Sequence, residues 1–142
     1  MAETFVHLRV HSEYSMVDGL VRVKPLVSRV AELGMPAVGL TEQSNMCSLV
    51  RFYKAALGAG VKPIIGADLW LENPDEPDNP FRLTLLARNG DGYLNLTEIV
   101  SLGYTDGQRF GKPIIEKRWL EARREGLIAL SGAKLGDVGK AL

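Results

Sequence analysis

The sequence lacks several features that would place it in a specialised class of protein. Its 142 residues include one cysteine, Cys47, which excludes an internal disulfide and a cysteine-rich zinc site. Its 17 basic and 17 acidic residues cancel, which argues against a strongly basic domain that coats nucleic acid. No apolar run approaches the roughly 20 residues of a membrane-spanning helix. Residues 1–4 include an acid and no apolar core, so we expect no secretory leader. The short apolar runs predict no membrane association, and the single cysteine favours a reducing, cytoplasmic setting.

The residues that are present indicate one globular domain of alternating strands and helices. Hydrophobic residues make up 46% of the chain, which is enough for a core of its own. Short apolar runs typical of strands alternate with segments whose apolar residues recur at helical spacing. The predicted strands are 5–10, 37–41, 63–71, 83–87 and 127–130. The predicted helices are 25–33, 45–57 with Asn45 as its N-cap, 93–102, 119–124 and one that begins at Lys134.

This order predicts an α/β fold with a mostly parallel sheet, either open or closed into a barrel. A proline-rich loop at 73–80 and a long loop at 103–113 interrupt the alternation. Five strands are few for a closed barrel, so we expect part of a longer domain. Functional residues in such folds gather where the strands end. These ends carry His11, residues 41–43, Asp68 and Ser131.

The first predicted strand carries the most chemistry. Because strand side chains alternate, His7, Arg9 and His11 share one face, which is either a solvated edge or the wall of a site. Two imidazoles can bind a metal ion, but the fixed positive charge of the arginine between them opposes it. Carboxylates could add oxygen ligands for a weak magnesium- or manganese-type site, although each alone is more often a cap, a turn residue or half of an ion pair. The candidates are Asp18, Glu42 and Asp68.

Five segments resemble one protein family in the same order. Residues 5–19, FVHLRVHSEYSMVDG, resemble the opening of bacterial replicative DNA polymerases, the alpha-subunit family of DNA polymerase III. The resemblance continues through 33–41, 62–68, 92–96 and 126–132. It implies that residues 1–142 are the N-terminal part of a PHP (polymerase and histidinol phosphatase) domain. Such a part would be an incomplete, distorted TIM-like (β/α) barrel, with the rest of the domain and the polymerase core beyond the chain.

The sequence departs from the metal-binding pattern of that family. The resemblance assigns the former metal-site positions to Arg9, His11, Asp18, Gln43, Asp68, Arg82 and Ala133. Only His11, Asp18 and Asp68 keep side chains that suit a metal ion. Arg9 and Arg82 stay protonated and offer hydrogen-bond donors alone, so they cannot bind a cation. We therefore expect no metal and no catalytic residue, because without a metal ion no bound water is acidic enough to attack a phosphate.

Cations and carboxylates stand together at these positions, which favours pairing between them. We expect an ion-pair cluster in which the protein's own cations take the places of metal ions. Its members would be Arg9, Arg82, Asp18, Glu42 and Asp68. If the cluster is buried, Arg9→Ala should lower the melting temperature, with a cost of about 3–5 kcal/mol.

The resemblance also implies a place in DNA replication. The parent protein would be a DNA-directed DNA polymerase, a magnesium-dependent nucleotidyltransferase. This chain would be its structural and protein-interaction scaffold, without a cofactor unless the eroded site still binds a metal ion. The expected partners are the rest of the alpha subunit, the proofreading exonuclease subunit and, through the parent, DNA. Two alternatives stay open: an active metal-dependent phosphoesterase (3′-5′ exonuclease or pyrophosphatase), and a module that binds anions through Arg9, His11 and Arg82 without turnover.

Overall fold

A six-stranded mixed sheet forms the centre of the computed structural model, which describes residues 4–142. Residues 1–3, on which part of the expectation of no leader rests, lie outside that range. The strands are β1 (Ala37–Gln43), β2 (Lys62–Leu71), β3 (Phe81–Ala87), β4 (Gln108–Arg109), β5 (Lys112–Ile115) and β6 (Leu127–Ser131). The helices are α1 (Val23–Glu32), α2 (Leu49–Gly58), α3 (Gly90–Thr105), α4 (Lys117–Ala122) and α5 (Asp137–Ala141), with short 3-10 turns at Glu13–Ser15 and Ala133–Leu135.

Strand β2 organises the sheet. One of its edges pairs in parallel with β1 and then with β5, and its other edge pairs antiparallel with β3. Strand β6 completes the far edge, antiparallel to β3. Four strands (β1, β2, β5 and β6) therefore run in one direction, as the sequence predicts, while β3 and β4 run in the other. The reversal at β3 arises because loop 72–80 contains no crossover helix, which a parallel connection would need.

Residues 5–10 do not form the predicted first strand. They run beside β1 and make only two backbone bonds to it, from the Gly39 N–H to the His7 carbonyl (2.7 Å) and from the Thr41 N–H to the Val10 carbonyl (2.9 Å). The segment advances three residues, from His7 to Val10, while β1 advances two, from Gly39 to Thr41. This extra residue breaks the predicted alternation of side chains. His7 and its neighbour Leu8 are accordingly both exposed.

Several helix boundaries also differ from the prediction, for reasons of capping. Asn45 does not cap α2, because its side chain accepts from the Cys47 N–H and closes a turn before the helix begins. Asn89 does cap a helix: it accepts from the Gly92 N–H, so α3 begins earlier than predicted. The predicted loop at 103–113 contains the end of α3 and the β4–β5 hairpin, which turns at residues 110–111 with positive φ angles of 52° and 72°.

The two faces of the sheet differ in polarity. One face carries Val38 and Leu40 of β1, which pack against α1 and α2, and Leu69 and Leu85 of β2 and β3, which pack against α3. Strand alternation therefore directs the neighbouring residues to the opposite face, where the polar side chains of β1, β2 and β3 other than Glu42 lie. Among residues 4–142, no helix has the length and apolar character needed to cross a bilayer.

Candidate functional site

A cluster of polar side chains lies on the face of the sheet that the helices leave uncovered, at the carboxyl end of β2. Asp68 of β2 is paired in register with Gln43 of β1 and with Thr84 of β3. The next rung on the same face pairs Trp70 with Arg82. The site is thus built from three adjacent strands, and the segment before α1 adds side chains from residues 9–18.

Asp68 is the buried centre of this cluster, with 3% of its surface exposed. The Arg9 Nε atom and the His11 Nε2 atom each lie 2.5 Å from Asp68 Oδ2. The Thr84 hydroxyl donates to Oδ1. Both carboxylate oxygens therefore already accept hydrogen bonds from the protein, and two of the three donors can carry positive charge.

His11 bridges two carboxylates. Its Nδ1 atom lies 2.9 Å from both oxygens of Asp18, and its Nε2 atom contacts Asp68. A neutral imidazole has one N–H, so only the protonated ring can donate at both nitrogens. The hydrogen bond to Asp68 is the largest influence and raises the pKa of His11, with Asp18 adding to the rise, although burial opposes it. The imidazolium is therefore the form that this site stabilises.

Opposing influences act on Asp68. Burial, the largest of them, raises the pKa of its carboxyl group, because it penalises the charged form. The hydrogen bonds from His11 and Thr84, together with the charge of Arg9, outweigh burial, and the pKa of Asp68 falls below its usual 3.8. The carboxylate therefore stays ionised and, together with Asp18, balances the charges of Arg9 and protonated His11.

Arg82 lies on the same face but outside the ion pairs. Its guanidinium donates to the Gln43 side-chain oxygen and stacks 4.0 Å from the ring centroid of Trp70. Within residues 4–142, no carboxylate oxygen lies within 4.0 Å of an Arg82 guanidinium nitrogen, which is the limit for an ion pair. The prediction that Arg82 pairs with a carboxylate is therefore wrong. An amide and an indole surround it instead, because its side chain extends across β2 toward β1.

Glu42 does not join the predicted cluster either. Adjacent residues of a strand point to opposite faces, so Glu42 lies on the helix-covered side of the sheet, 1% exposed. It accepts hydrogen bonds from the Ser12 N–H (3.0 Å), the Ser12 hydroxyl, the Ser15 hydroxyl (2.6 Å) and the Ser48 hydroxyl (2.9 Å). This buried carboxylate is satisfied by neutral donors, and its inclusion in the ion-pair cluster is wrong.

The remaining predicted position contributes little to the site. Ala133 is exposed in the 3-10 turn after β6, where its backbone has a positive φ of 47°, and its methyl group has no polar atom to bring. The sequence reasoning missed Thr84 and Trp70. Thr84 lies opposite Asp68, and Trp70 lies opposite Arg82. Both positions follow from the β2–β3 register, which the sequence pattern does not specify.

The residues present do not fit a metal centre. In the part of the chain that the structure describes, no group of three or more His, Cys, Asp or Glu side chains could hold a metal ion. Both ring nitrogens of His11 and both oxygens of Asp68 are engaged by protein partners. A metal ion at Asp68 would also meet the Arg9 guanidinium, and two like unit charges 4 Å apart repel by about 4 kcal/mol at an effective dielectric constant near 20.

Comparison with known proteins gives a family and curated relatives. Residues 7–142 match the model of the PHP domain family. The chain is 61% identical over 142 residues to the DNA polymerase III subunit alpha of Pseudomonas aeruginosa, and 51% identical over 138 residues to that of Escherichia coli K12. These alignments cover 100% and 97% of this chain but 12% of each relative, so the chain spans about an eighth of their length.

Two solved structures share the fold. An amidohydrolase from Chromobacterium violaceum superimposes with a TM-score of 0.51 and 18% identity, over 66% of this chain and 32% of that one. A candidate metal-dependent phosphoesterase from Bifidobacterium adolescentis gives a TM-score of 0.52 and 13% identity, over 77% of this chain and 37% of that one. These likenesses, with the family match, confirm the predicted α/β class and the distorted TIM-like architecture of the PHP type.

Proposed function

The chain belongs to the PHP domain family, and from that membership we propose that it is the PHP scaffold of a bacterial DNA polymerase III alpha subunit that works in DNA replication. The alignment of the whole chain with subunits of that name supports the assignment. In this proposal the parent is a cytoplasmic, magnesium-dependent DNA-directed DNA polymerase. Its template-directed chemistry lies outside these residues, and the chain itself catalyses no reaction.

One observation carries the non-catalytic part of the proposal: protein groups occupy the carboxylate at the centre of the former metal site. Arg9 and His11 share Asp68 Oδ2, and Thr84 occupies Oδ1. A guanidinium cannot release its proton at workable pH, so Asp68 has a permanent cationic partner. Without a bound metal ion the site has no means of generating hydroxide for attack on a phosphate.

The same contacts give the cluster a structural task. Arg9 and His11 come from the segment before α1, whereas Asp68 and Thr84 come from β2 and β3, so the cluster fixes that segment to the uncovered face of the sheet. A rigid surface loses less conformational freedom when a partner binds. We propose that the surface held in this way contacts the rest of the alpha subunit and the proofreading exonuclease subunit.

The test compares metal binding, hydrolysis and partner binding in the same preparations of the protein. Calorimetric titration with Mn²⁺ and Zn²⁺ is expected to show no saturable uptake, and an activated phosphodiester is expected to stay intact. Immobilised exonuclease subunit is expected to bind the protein saturably. Arg9→His restores an imidazole at the first former ligand position, and Arg29→His is the matched control because Arg29 pairs with Glu32 on the surface of α1.

Two results would overturn parts of this proposal separately. Saturable metal binding with metal-dependent hydrolysis by the parent protein favours the phosphoesterase alternative. Absence of binding to the exonuclease subunit removes that partner while leaving the loss of the metal site intact.

A further inference from the structure

A cavity of about 590 Å³ lies on the helix-covered side of the sheet, between helices α1 and α2 and the 3-10 turn at Glu13–Ser15. Its wall includes three cationic side chains, one from α1 and two from α2, which are Lys24, Arg51 and Lys54. Tyr14, Cys47 and Val50 form much of the rest of the wall. No acidic residue of the described range 4–142 lines it. We call this cavity the basic groove.

The three cations of the basic groove have no carboxylate partner. Among residues 4–142, no carboxylate oxygen lies within 4.0 Å of their nitrogen atoms, and all three residues are exposed. Arg51 instead lies over an aromatic ring, with its guanidinium carbon 5.7 Å from the ring centroid of Tyr14. The buried Glu42 lies near the start of α2, but it does not line the groove and is already bound by four donors.

Two of these cations stand where they oppose helix formation. Lys24 and Arg51 lie in the first turn of α1 and of α2. Free N–H groups give the N-terminal end of a helix a partial positive charge, so acidic side chains stabilise that end and cations destabilise it. Neither first turn contains an acidic residue, and neither N-cap side chain accepts a hydrogen bond from its helix. The stability of the fold therefore does not account for these charges, whereas binding of an anion does.

The groove is held in shape by contacts across its rim. The side-chain nitrogen of Asn45 donates to the Tyr14 carbonyl (3.0 Å), and its side-chain oxygen accepts from the Cys47 N–H (3.0 Å). The Tyr14 side chain also packs against the core beneath α1 and α2. Because the walls are fixed beforehand, a ligand that enters the groove orders few additional groups of the protein.

The side chains between the cations indicate which kind of anion the groove suits. Val50 is 62% exposed and shares one face of α2 with Arg51 and Lys54. A nucleic-acid strand is followed by a row or stripe of cations, whereas these cations surround a single concave cavity that also offers an apolar contact. A peptide that carries carboxylates beside an apolar side chain complements both features.

We propose that the basic groove is a docking site for an acidic peptide segment of a partner protein. Its carboxylates would pair with Lys24, Arg51 and Lys54, and an apolar side chain next to them would contact Val50. No bond is made or broken. The inference goes beyond the proposed scaffold role, because the groove lies on the opposite side of the sheet from Asp68 and binds its partner whether or not the uncovered face binds the exonuclease subunit.

The test follows a probe peptide through its effect on Cys47, which is exposed, lines the groove and is the one cysteine of the chain. The probe is a short acetylated peptide of aspartates and glutamates around one leucine, and its comparator has asparagine and glutamine in place of the acids. Alkylation of Cys47 by N-ethylmaleimide is measured by mass spectrometry as the probe is titrated. We expect the acidic probe to slow alkylation saturably, the neutral comparator to leave it unchanged, and added salt to weaken the protection because it screens exposed charges.

Removal of the cations is expected to weaken binding in steps. Arg51→Gln and Lys54→Gln should each weaken binding of the probe by about two- to fivefold, the effect of one exposed ion pair, and the triple variant that adds Lys24→Gln should lose saturable protection. Lys62→Gln is the matched control, because Lys62 is an exposed lysine at the start of β2, outside the groove. Circular dichroism establishes that each variant folds.

Lys24→Glu distinguishes a binding role of this charge from a structural one. An acidic side chain in the first turn of α1 favours the helix, so we expect the melting temperature to rise by about 1–4 °C. The same variant should bind the probe more weakly than Lys54→Gln, because it replaces attraction of the peptide by repulsion. A cation retained for the stability of the fold would give the opposite change in melting temperature.

The proposal is overturned if the acidic probe does not slow alkylation of Cys47, or if Lys62→Gln loses as much binding as Arg51→Gln. A lower melting temperature in Lys24→Glu, with binding unchanged, would also contradict it. A single-stranded oligonucleotide with the same charge as the probe provides the last comparison. Stronger protection of Cys47 by the oligonucleotide than by the peptide would assign the groove to nucleic acid and reject the acidic peptide.

Discussion

Asp68 and Glu42 are two buried carboxylates that the protein satisfies in opposite ways. Asp68 lies on the uncovered face of the sheet and accepts from Arg9, His11 and one hydroxyl. Glu42 lies on the helix-covered face and accepts from three hydroxyls and one backbone N–H. Charge compensates charge at the first, whereas dipoles alone surround the second.

The comparison shows how one segment is fixed from both sides of a sheet. Asp68 binds residues 9 and 11 of the segment before α1, and Glu42 binds Ser12 and Ser15 of the same segment. Glu42 also accepts from Ser48 at the start of α2. The segment therefore runs along the edge of β1 opposite β2 and is anchored on each face of the sheet by one carboxylate. Asp68 is paired with cations, and its face of the sheet carries charged side chains. Glu42 is bound by neutral donors, and its face is covered by helices.

The largest effect is expected from removal of the carboxylate that has no cation. Glu42→Ala leaves three hydroxyls and one N–H without their common acceptor in the interior. Each buried donor left unsatisfied costs about 1–3 kcal/mol, and we expect a total loss of about 3–5 kcal/mol in the free energy of unfolding after some donors find other acceptors. Urea denaturation at neutral pH measures it.

Glu42→Gln is the control that keeps the size of the side chain. It retains one acceptor oxygen and places an NH₂ group against hydroxyl donors, so an intermediate loss is expected. If Glu42→Ala is as stable as the parent, the hydroxyls do not depend on this carboxylate, and the contrast with Asp68 disappears.

A smaller effect is expected from removal of a cation at Asp68. The 3–5 kcal/mol predicted from the sequence for Arg9→Ala assumes a buried pair, but the Arg9 side chain is 54% exposed while that of Asp68 is 4% exposed. Solvent screens an exposed partner, and His11 and Thr84 remain on the carboxylate. We therefore expect Arg9→Ala to cost about 1–2 kcal/mol, measured by the same urea titration. Arg29→Ala, in a surface pair with Glu32, is the matched control, and an equal loss in both variants would contradict a special role for Arg9.

The revised value for Arg9 shows where sequence reasoning succeeds and where it stops. The resemblance placed Arg9, His11, Asp18 and Asp68 in one site, and the structure brings these four side chains into one chain of contacts. The alternating pattern also predicted the main strands and helices, because burial of one face leaves a periodic signal. Short-range signals were thus sufficient for element order and for part of the site.

The rest depends on pairing between distant segments, which leaves no such signal in this sequence. The face of Glu42 is an exception, because alternation along β1 places it with Val38 and Leu40 and away from Gln43. The bulged pairing of residues 7–10 with β1 follows from tertiary contacts rather than from local pattern. The hydroxyls of Ser12, Ser15 and Ser48 meet at Glu42 only after α2 and the preceding turn are in place.

The smallest expected effect is a change in how the free energy of unfolding depends on pH. It separates Asp68 from Glu42, because the histidine His11 contacts Asp68, whereas hydroxyls and one N–H contact Glu42. The pKa of His11 in the folded protein lies above its ordinary 6.5, chiefly through Asp68, so its contribution to stability is complete below 6.5 and is lost as the pH rises through the folded value. The pKa of Asp68 is lowered below 3.8, so its contribution is present above 3.8 and is lost as the pH falls through the folded value. Stability from this cluster is thus greatest between about 4 and 6.5.

His11→Gln removes the group responsible for the alkaline side of this profile. We expect its free energy of unfolding, measured in urea between pH 5 and pH 9, to decline less with rising pH than that of the parent protein. His7→Gln, which removes the exposed second histidine, leaves the contacts of Asp68 intact and is expected to keep the parental decline. A parental slope in His11→Gln would mean that the bridge between Asp18 and Asp68 does not depend on an imidazolium. The cluster would then resemble the hydroxyl-bound Glu42 in needing no titrating partner.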